Sequence, residues 1–238
     1  MFLRFEQRLS DSPFIERVWR SRSSSAGAFH SMAEPNLELV IAKVEASTQV
    51  ILRGPVTRAT IVDCPAGGEW LGIRFRLGTQ LAKLPTAALL DHQSVVLPSQ
   101  ADGLFWLDRR WWEPPTFDNA EACVASLAAA GIVSRDRLVE AVLVGGEREV
   151  SLRSVQRRFL RSTGLTRKAF RQIERARHAA HLLQNGAGIL DVVDQAGYFD
   201  QPHLTRALRR LIGPTPSDLA RGQAQLSFLY KTTVPSWA

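Results

Sequence analysis

Residues 189–213 read ILDVVDQAGYFDQPHLTRALRRLIG. Apolar side chains among the first eight positions recur at the spacing of a short amphipathic helix. Residues 197–199 then supply a turn, and Asp200 is placed to cap a second helix by accepting a hydrogen bond from its first turn. Two helices joined this closely are typical of a helix-turn-helix unit, whose second helix lies in the major groove of DNA.

A second copy of this pattern lies 49 residues earlier in the chain. Ser151 aligns with Asp200 at the start of the basic helix, and Gly164 aligns with Gly213 at its end. Ser and Asp are favoured N-cap residues, and Gly is favoured where left-handed backbone ends a helix. The repeat therefore predicts two copies of one basic helix.

One long helix is predicted between the two copies. Residues 167–184 are capped by Thr166 and stopped at Asn185 and Gly186. Eighteen residues at 1.5 Å each span about 27 Å. A spacer of this length would allow two recognition helices to enter successive major-groove segments, which are about 34 Å apart.

The first copy departs from the pattern in front of its basic helix. Gly145 and Gly146 interrupt the region that aligns with the short leading helix, and Arg148 replaces the turn glycine. We therefore expect a leading helix at residues 134–144 and an irregular joint at residues 145–150. We hypothesise that the second unit reads sequence more strictly and that the first contributes more phosphate affinity.

Positive charge is concentrated in the same third of the chain. The protein has 238 residues and a formal net charge of +7. Residues 151–222 hold 13 basic side chains, 12 of them Arg, against five acidic ones, whereas residues 1–150 are slightly acidic. The planar guanidinium of Arg matches phosphate and guanine geometry. This distribution is typical of a nucleic-acid-binding protein.

Both basic helices are predicted to be amphipathic. The first has an apolar side of Leu152, Val155, Phe159 and Leu160 and a basic side of Arg153, Arg157 and Arg161. The second would bury Leu204, Ala207, Leu208 and Leu211 and expose His203, Thr205, Arg206, Arg209 and Arg210.

These residues resemble the C-terminal DNA-binding domain of the AraC/XylS family of bacterial transcription regulators. The similarity rests on GYFDQPHLTR at residues 197–206, GPTPS at 213–217, VQRRF at 155–159 and TGLT at 163–166. It covers roughly residues 134–220. It implies a DNA-binding domain at residues 134–222, between a sensor or dimerisation domain at 1–133 and a tail at 223–238.

The resemblance also indicates which side chains meet DNA. The base-reading positions fall on Arg153, Gln156, Arg157, Gln201, His203 and Arg206; helix-turn-helix geometry alone also selects the last three. Projection of the first helix places Gln156 at the edge of the apolar side. Phosphate contacts are expected from Arg158, Arg161, Thr205, Arg209 and Arg210 and from the amide ends at Ser151 and Asp200.

The front half of the chain is predicted to be β-rich. Residues 71–77 alternate apolar and polar or small side chains, as a half-buried strand does, and residues 37–44, 49–52 and 59–62 are further strand candidates. A small barrel or sandwich would close such a set, giving an α+β protein overall. A helix at residues 119–130, capped by Asp118, is the candidate bridge or dimer contact.

Members of the resembled family often carry a cupin-like N-terminal domain that senses a small molecule or pairs two subunits. Phe105, Trp106, Trp111 and Trp112 are therefore candidates for an effector pocket, although a core or interface cluster is the favoured interpretation. The expected partners are duplex DNA, a small-molecule effector, a second subunit, and RNA polymerase if the protein is an activator.

Other functions are less well supported by the sequence. A cupin-like metal-dependent enzyme with an accessory nucleic-acid-binding domain would need more imidazoles than His30 and His92, and we expect no catalysis, cofactor or metal. His178 and His181 are three residues apart and could bridge a metal ion, but histidines at this spacing more often lie on an exposed helix face. RNA binding would require aromatic stacking platforms among the cations. The lack of a signal peptide or a long apolar run predicts a cytoplasmic protein with two reduced cysteines.

Overall fold

The computed structural model describes residues 2–91, 94–100, 103–137, 139, 141, 151–222 and 226. These residues form two compact units that interleave along the chain. Unit 1 comprises Met1–Gly27, Pro35–Pro55 and Pro65–Leu165, and unit 2 comprises Ala28–Glu34, Val56–Cys64 and Thr166–Ala238.

The two units do not follow a single boundary in the sequence. Residues 28–34 and 56–64 of the front half cluster with the C-terminal helices, and residues 134–165 cluster with the β-rich unit. The division after residue 133 stays a prediction about domains that fold independently. The predicted tail at 223–238 lies outside the described residues, apart from Leu226.

Unit 1 is built on an antiparallel sheet of six strands. Its strands in spatial order are β1 (Leu3–Leu9), β2 (Ile15–Ser23), β7 (Glu69–Phe75), β4 (Glu38–Val44), β5 (Ser47–Arg53) and β9 (Val95–Leu97). Two smaller pairs accompany it: β8 (Thr79–Leu81) with β12 (Val133–Arg135), and β10 (Phe105–Leu107) with β11 (Arg110–Trp112). A 3₁₀ turn spans Thr86–Leu89. The predicted β-rich front half, and with it the α+β class, is confirmed.

The central strand β7 differs from its prediction. A half-buried strand would expose Arg74, yet this side chain is fully buried, and its Nε lies 3.3 Å from the Glu38 carboxylate on β4. Gly72 and Arg74 lie on one face of β7 and Ile73 and Phe75 on the other, and all four are buried, so both faces are covered at this end of the strand. The alternation in the sequence shows that a strand forms there but not how many of its faces are covered.

Helix α1 (Ala120–Ala129) contributes its apolar side to the core of unit 1. Val124 and Leu127 are buried among the side chains of the sheet. Its N-cap is Asn119, one residue later than predicted, and Glu121 receives two hydrogen bonds from the Arg8 guanidinium, at 2.6 and 2.7 Å. Those bonds lower the pKa of Glu121 to about 2. A role of α1 as a bridge or dimer contact stays a prediction.

The predicted start of the leading helix in the first helix-turn-helix copy is wrong. Ser134 and Arg135 belong to strand β12, where they pair with β8. Most of the remaining residues to 144, and the whole predicted joint at residues 145–150, lie outside the described residues.

The first basic helix, α2 (Leu152–Thr163), is confirmed at both ends. Ser151 Oγ accepts a hydrogen bond from the Ser154 amide, and Gly164 ends the helix in the left-handed region at φ 72°. Its buried side was predicted incorrectly at Leu160, which is 46% exposed. The side chain of Leu152, also predicted to be buried, lies outside the described part of the structure. Among the described side chains of α2, Val155, Phe159, Ser162 and Thr163 are buried, because steps of four and three residues return to one side of a helix.

Unit 2 contains the remaining helices and one small sheet. The helices are α3 (Arg167–Gln184), α4 (Ile189–Gln195), α5 (Gln201–Leu211) and α6 (Pro216–Ala220). Strands β3 (Gly27–Ser31) and β6 (Thr60–Cys64) form a two-stranded sheet. The predicted long helix is confirmed, since Thr166 caps it and Phe170, Ile173, Ala176, Ala180 and Leu183 are buried. Among the described residues, no helix combines the length and apolarity needed to cross a bilayer.

Candidate nucleic-acid interface

Helix α4, a short turn and helix α5 form the predicted helix-turn-helix unit. Gly197 adopts φ 66° in the turn, a conformation that a side chain would strain, and the Tyr198 amide bonds back to the Val193 carbonyl at 2.8 Å. Asp200 then caps α5 by accepting a hydrogen bond from the His203 amide at 2.6 Å. Local bonds therefore define both ends of the turn.

Tyr198 anchors the turn in unit 2. Its ring is buried, and burial raises the pKa of its hydroxyl. The Arg175 guanidinium lies 4.4 Å from the ring centroid and also donates to the Gly197 carbonyl at 3.2 Å. The His203 ring meets the Tyr198 ring edge-on, with the two centroids 5.1 Å apart. The turn and the predicted reader His203 thus share one set of contacts.

Helix α5 separates an apolar side from a polar side. Leu204, Leu208 and Leu211 are buried. Gln201 and Arg206, two of the predicted readers, are exposed, and His203 is half-buried. Arg209 and Arg210 are exposed as predicted for phosphate contacts. Thr205 donates its hydroxyl hydrogen to the Gln201 carbonyl, so that donor is already engaged within the helix.

The predicted readers on α2 are also exposed. Arg153 and Arg157 lie on the outer side, as the helix projection predicts. Gln156 is exposed rather than at the margin of the apolar side. Helix α2 therefore also exposes three side chains of the kinds that hydrogen-bond to base edges.

The predicted phosphate residues on α2 are not equivalent. Arg161 is exposed. Arg158, in contrast, makes two hydrogen bonds to the Asp136 carboxylate, at 2.8 and 3.1 Å. Asp136 also accepts a hydrogen bond from Ser162. A carboxylate at this distance offsets the Arg158 charge and occupies two of its five N–H donors, so this arginine attracts a phosphate less strongly than an unpaired one.

The two predicted amide ends are occupied by their own caps. Ser151 and Asp200 each accept a hydrogen bond from the third residue of the following helix. The other amides of the first turn remain as donors for an anion. At Asp200 a phosphate would approach beside a carboxylate, which weakens that contact.

Comparisons with known proteins agree with this geometry. Residues 147–222 match a protein-family model described as a helix-turn-helix domain. A 74-residue segment is 42% identical to the HTH-type transcriptional regulator RipA of Corynebacterium glutamicum. That segment is 31% of this chain and 22% of the length of the relative. No solved structure matches the chain significantly.

This segment is an AraC-type helix-turn-helix domain. The AraC-type domain contains all six predicted base readers and all seven predicted phosphate positions. The resemblance stated from the sequence is confirmed, whereas the individual DNA contacts stay predictions.

The four aromatic residues predicted to line an effector pocket do not share one face. They form the hairpin of β10 and β11, in which Phe105 pairs with Trp112 and Trp106 pairs with Trp111. Phe105 is buried in the core of unit 1, and Trp112 packs against that core. Trp106 and Trp111 are 37% and 41% exposed and meet edge-on at 4.9 Å. Neighbouring cross-strand pairs point to opposite faces of a hairpin, which explains the separation.

The histidines considered as metal ligands are dispersed. Among the described residues, no group of three or more His, Cys, Asp or Glu side chains is placed to hold a metal ion. His30 lies beside Gly213 in unit 2, and His92 falls outside the described residues. Burial, and then the neighbouring His181, lower the pKa of His178.

Two features near α5 were not found from the sequence. Phe199, in the turn, is 90% exposed directly in front of the helix cap. Its signal was an aromatic residue among polar and small turn residues, which composition alone assigns to packing. The other feature is a set of front-half amides that bond to the end of α5, and no local pattern points to them.

Proposed function

We propose that this protein is a sequence-specific DNA-binding regulator of transcription that reads duplex DNA through α5 and α2. One observation carries this proposal: α4, the turn and α5 form a capped helix-turn-helix unit whose outer side presents Gln201, His203 and Arg206. The match of residues 147–222 to a helix-turn-helix family supports it.

The exposed side chains suit direct readout in the major groove. The guanidinium of Arg206 can bond to both acceptors of guanine, and the Gln201 amide can pair with adenine in the same way. On α2, Arg153, Gln156 and Arg157 offer the same chemistry. Arg161, Arg209 and Arg210 then supply phosphate contacts that set affinity rather than sequence choice.

The front half would supply regulation. We propose that residues 1–133 sense a small molecule or pair two subunits, as in members of the AraC/XylS family. If the protein is an activator, RNA polymerase is a further partner. The hydrophobic core of unit 1 draws its buried side chains from residues 15–133, which supports a separate role for this part of the chain. Titrating candidate effectors while binding of the target duplex is recorded tests this role directly.

The decisive experiment is selection of bound sites from random duplexes by the full-length protein. We expect one recurring motif, with and without an extract of cellular small molecules. The variant R157A/R206A should lose the motif, whereas R4A/R22A, which removes two exposed arginines from β1 and β2, should keep it. Recovery of unrelated sequences by the wild type would overturn the proposal.

Salt dependence provides an independent measurement. Each phosphate neutralised by Arg or Lys releases condensed counterions, so the logarithm of affinity falls linearly with the logarithm of salt concentration. We expect a steep decrease between about 50 and 200 mM salt. A flat response would contradict binding through these arginines.

A further inference from the structure

The C-terminal end of α5 is bonded to two segments from the front half of the chain. The Ala59 amide donates to the Arg210 carbonyl at 2.8 Å, and the Ala33 amide donates to the Leu211 carbonyl at 2.7 Å. The last four carbonyls of a helix have no donor within the helix. Residues 28–34 and 56–64, which we call the clip, therefore complete the end of α5.

The clip has structure of its own. Its strands β3 and β6 pair with each other, and Glu34 and Val56 exchange both backbone hydrogen bonds, at 2.8 and 2.7 Å. Ala33 and Val56 are buried, with 1% and 6% exposure. These bonds hold the segments that carry the Ala33 and Ala59 amides in place relative to each other.

The clip is also attached to the long helix beneath α5. The Arg177 guanidinium on α3 lies 3.4 Å from the Glu34 carboxylate, and both side chains are about nine-tenths buried. Arg177 makes a second ion pair, at 3.3 Å, with Glu174 on its own helix. Just beyond α5, Gly213 adopts φ 107°, and a Cβ there would lie 2.4 Å from His30 Nδ1, so a side chain at this position would strain the backbone and displace the His30 ring.

We infer that the clip is part of the DNA-reading machinery, because it fixes the angle at which α5 presents its side chains. This inference rests on the proposed function. Arg206 precedes Leu211 by five residues, or about 7.5 Å of a rigid helix, so a tilt at the bonded end displaces the reading end. Bidentate base contacts are directional and weaken when the guanidinium is misplaced.

The clip is joined to unit 1 by the chain itself and to α5 by the two backbone hydrogen bonds. Each clip segment continues at both ends into residues of unit 1, and proline stands at three of these four crossings, at positions 35, 55 and 65. Proline restricts the backbone on both sides of the bond.

The test uses the full-length protein and the duplex recovered by selection. The α5 half-site is defined as the base pairs whose substitution lowers the affinity of the wild type but not that of R206A. The α2 half-site is defined in the same way with R157A. The measured quantity is the ratio of affinities for the intact duplex and for a duplex with one half-site altered. This ratio does not depend on the fraction of folded protein.

Two matched pairs of variants separate the clip from general effects on the fold. E34Q removes the clip partner of Arg177, whereas E174Q removes its partner on α3. A59P removes the amide donor to Arg210, whereas A59S keeps it. If A59P does not fold, the E34Q and E174Q pair decides the question.

We expect E34Q and A59P to reduce discrimination at the α5 half-site by roughly three- to tenfold, the effect of about one lost hydrogen bond. Discrimination at the α2 half-site should not change, and E174Q and A59S should behave like the wild type. The inference is overturned by unchanged ratios in E34Q and A59P, by equal losses at both half-sites, or by an equal effect of E174Q. If the wild type selects no motif, the proposed function fails first.

Discussion

Helices α2 and α5 have the same local design and different surroundings. Each begins at a side chain that caps its first turn and is followed by a glycine with positive φ. Helix α5 follows a complete leading helix and turn within unit 2, whereas α2 belongs to unit 1 and has Asp136 beside it. Two copies of one sequence pattern can therefore differ in how many of their arginines are free of an ion pair within the protein.

This difference affects which of the two helices we expect to read bases and which to contact phosphates. Among the described residues, no ion pair engages Arg206, so its charge is available to a base. On α2, Arg158 is paired with Asp136, whereas among the described residues no ion pair engages Arg161, the other arginine predicted to contact a phosphate. The hypothesis that α5 reads sequence more strictly is consistent with this arrangement and remains to be measured.

The largest expected effect comes from removing the central reading arginine of each helix. R206A should cost about 1–3 kcal/mol of binding free energy at its preferred base pair and abolish discrimination there, because a bidentate guanine contact is lost. R157A should cost less discrimination. Titrations against single-base variants of the selected duplex provide the measurement, with R4A as the control for loss of one exposed positive charge. A greater loss of discrimination in R157A would reverse the comparison.

The exposed ring of Phe199 should give the next largest effect. Because an apolar side chain in the major groove can contact the thymine methyl group, we expect F199A to weaken binding by about 1–2 kcal/mol. Replacing thymine by deoxyuridine removes only that methyl group. The wild type should therefore be sensitive to this replacement at one position and F199A should not be. The control is L190A, which removes another exposed apolar side chain, 72% exposed on α4. Equal sensitivity of F199A and the wild type would exclude this contact.

The salt dependence of binding should distinguish the two phosphate candidates on α2. R161A should reduce the slope of log affinity against log salt by about 1, because one phosphate contact is lost. R158A should change the slope much less, since Asp136 already neutralises this arginine. Fluorescence titrations at five salt concentrations would measure both slopes. Equal slopes for the two variants would mean that Arg158 leaves Asp136 on binding.

The smallest expected effect is a loss of stability in unit 1, which contains α2, when Glu121 is replaced. The ion pair with Arg8 lowers the pKa of Glu121 to about 2, below the value of an unfolded chain. Its stabilisation is therefore fully present above about pH 4.5 and is lost as the pH falls toward 2. Both side chains are about one-third exposed, so E121Q should destabilise the protein by less than about 1 kcal/mol at pH 7.

Urea unfolding at pH 7 and pH 3 would measure this contribution. E113Q, at another exposed carboxylate of unit 1, is the matched control and should show no such pH dependence. The α5 half-site should be read normally by E121Q. An equal loss of stability for E121Q at both pH values would contradict the assignment to the Arg8 pair.

Particular residues show how far the sequence could be interpreted. Asp200 and Gly197 mark the turn and the start of α5 correctly, because each acts on atoms within a few residues of itself. Leu160 and Arg74 were assigned to the wrong environments, since periodicity does not record which neighbours cover an element. The pairing of Arg158 with Asp136 joins residues 22 apart and has no local pattern.

The sequence by itself determined the helix-turn-helix unit, the limits of both basic helices and the concentration of arginine on them. Caps, turns and helical periodicity depend on interactions within one or two turns of chain, which a linear pattern records. Only the tertiary structure decided which arginine is neutralised and which front-half amides close the carbonyl end of α5. Those contacts join residues far apart in the chain, and folding alone brings them within hydrogen-bonding distance.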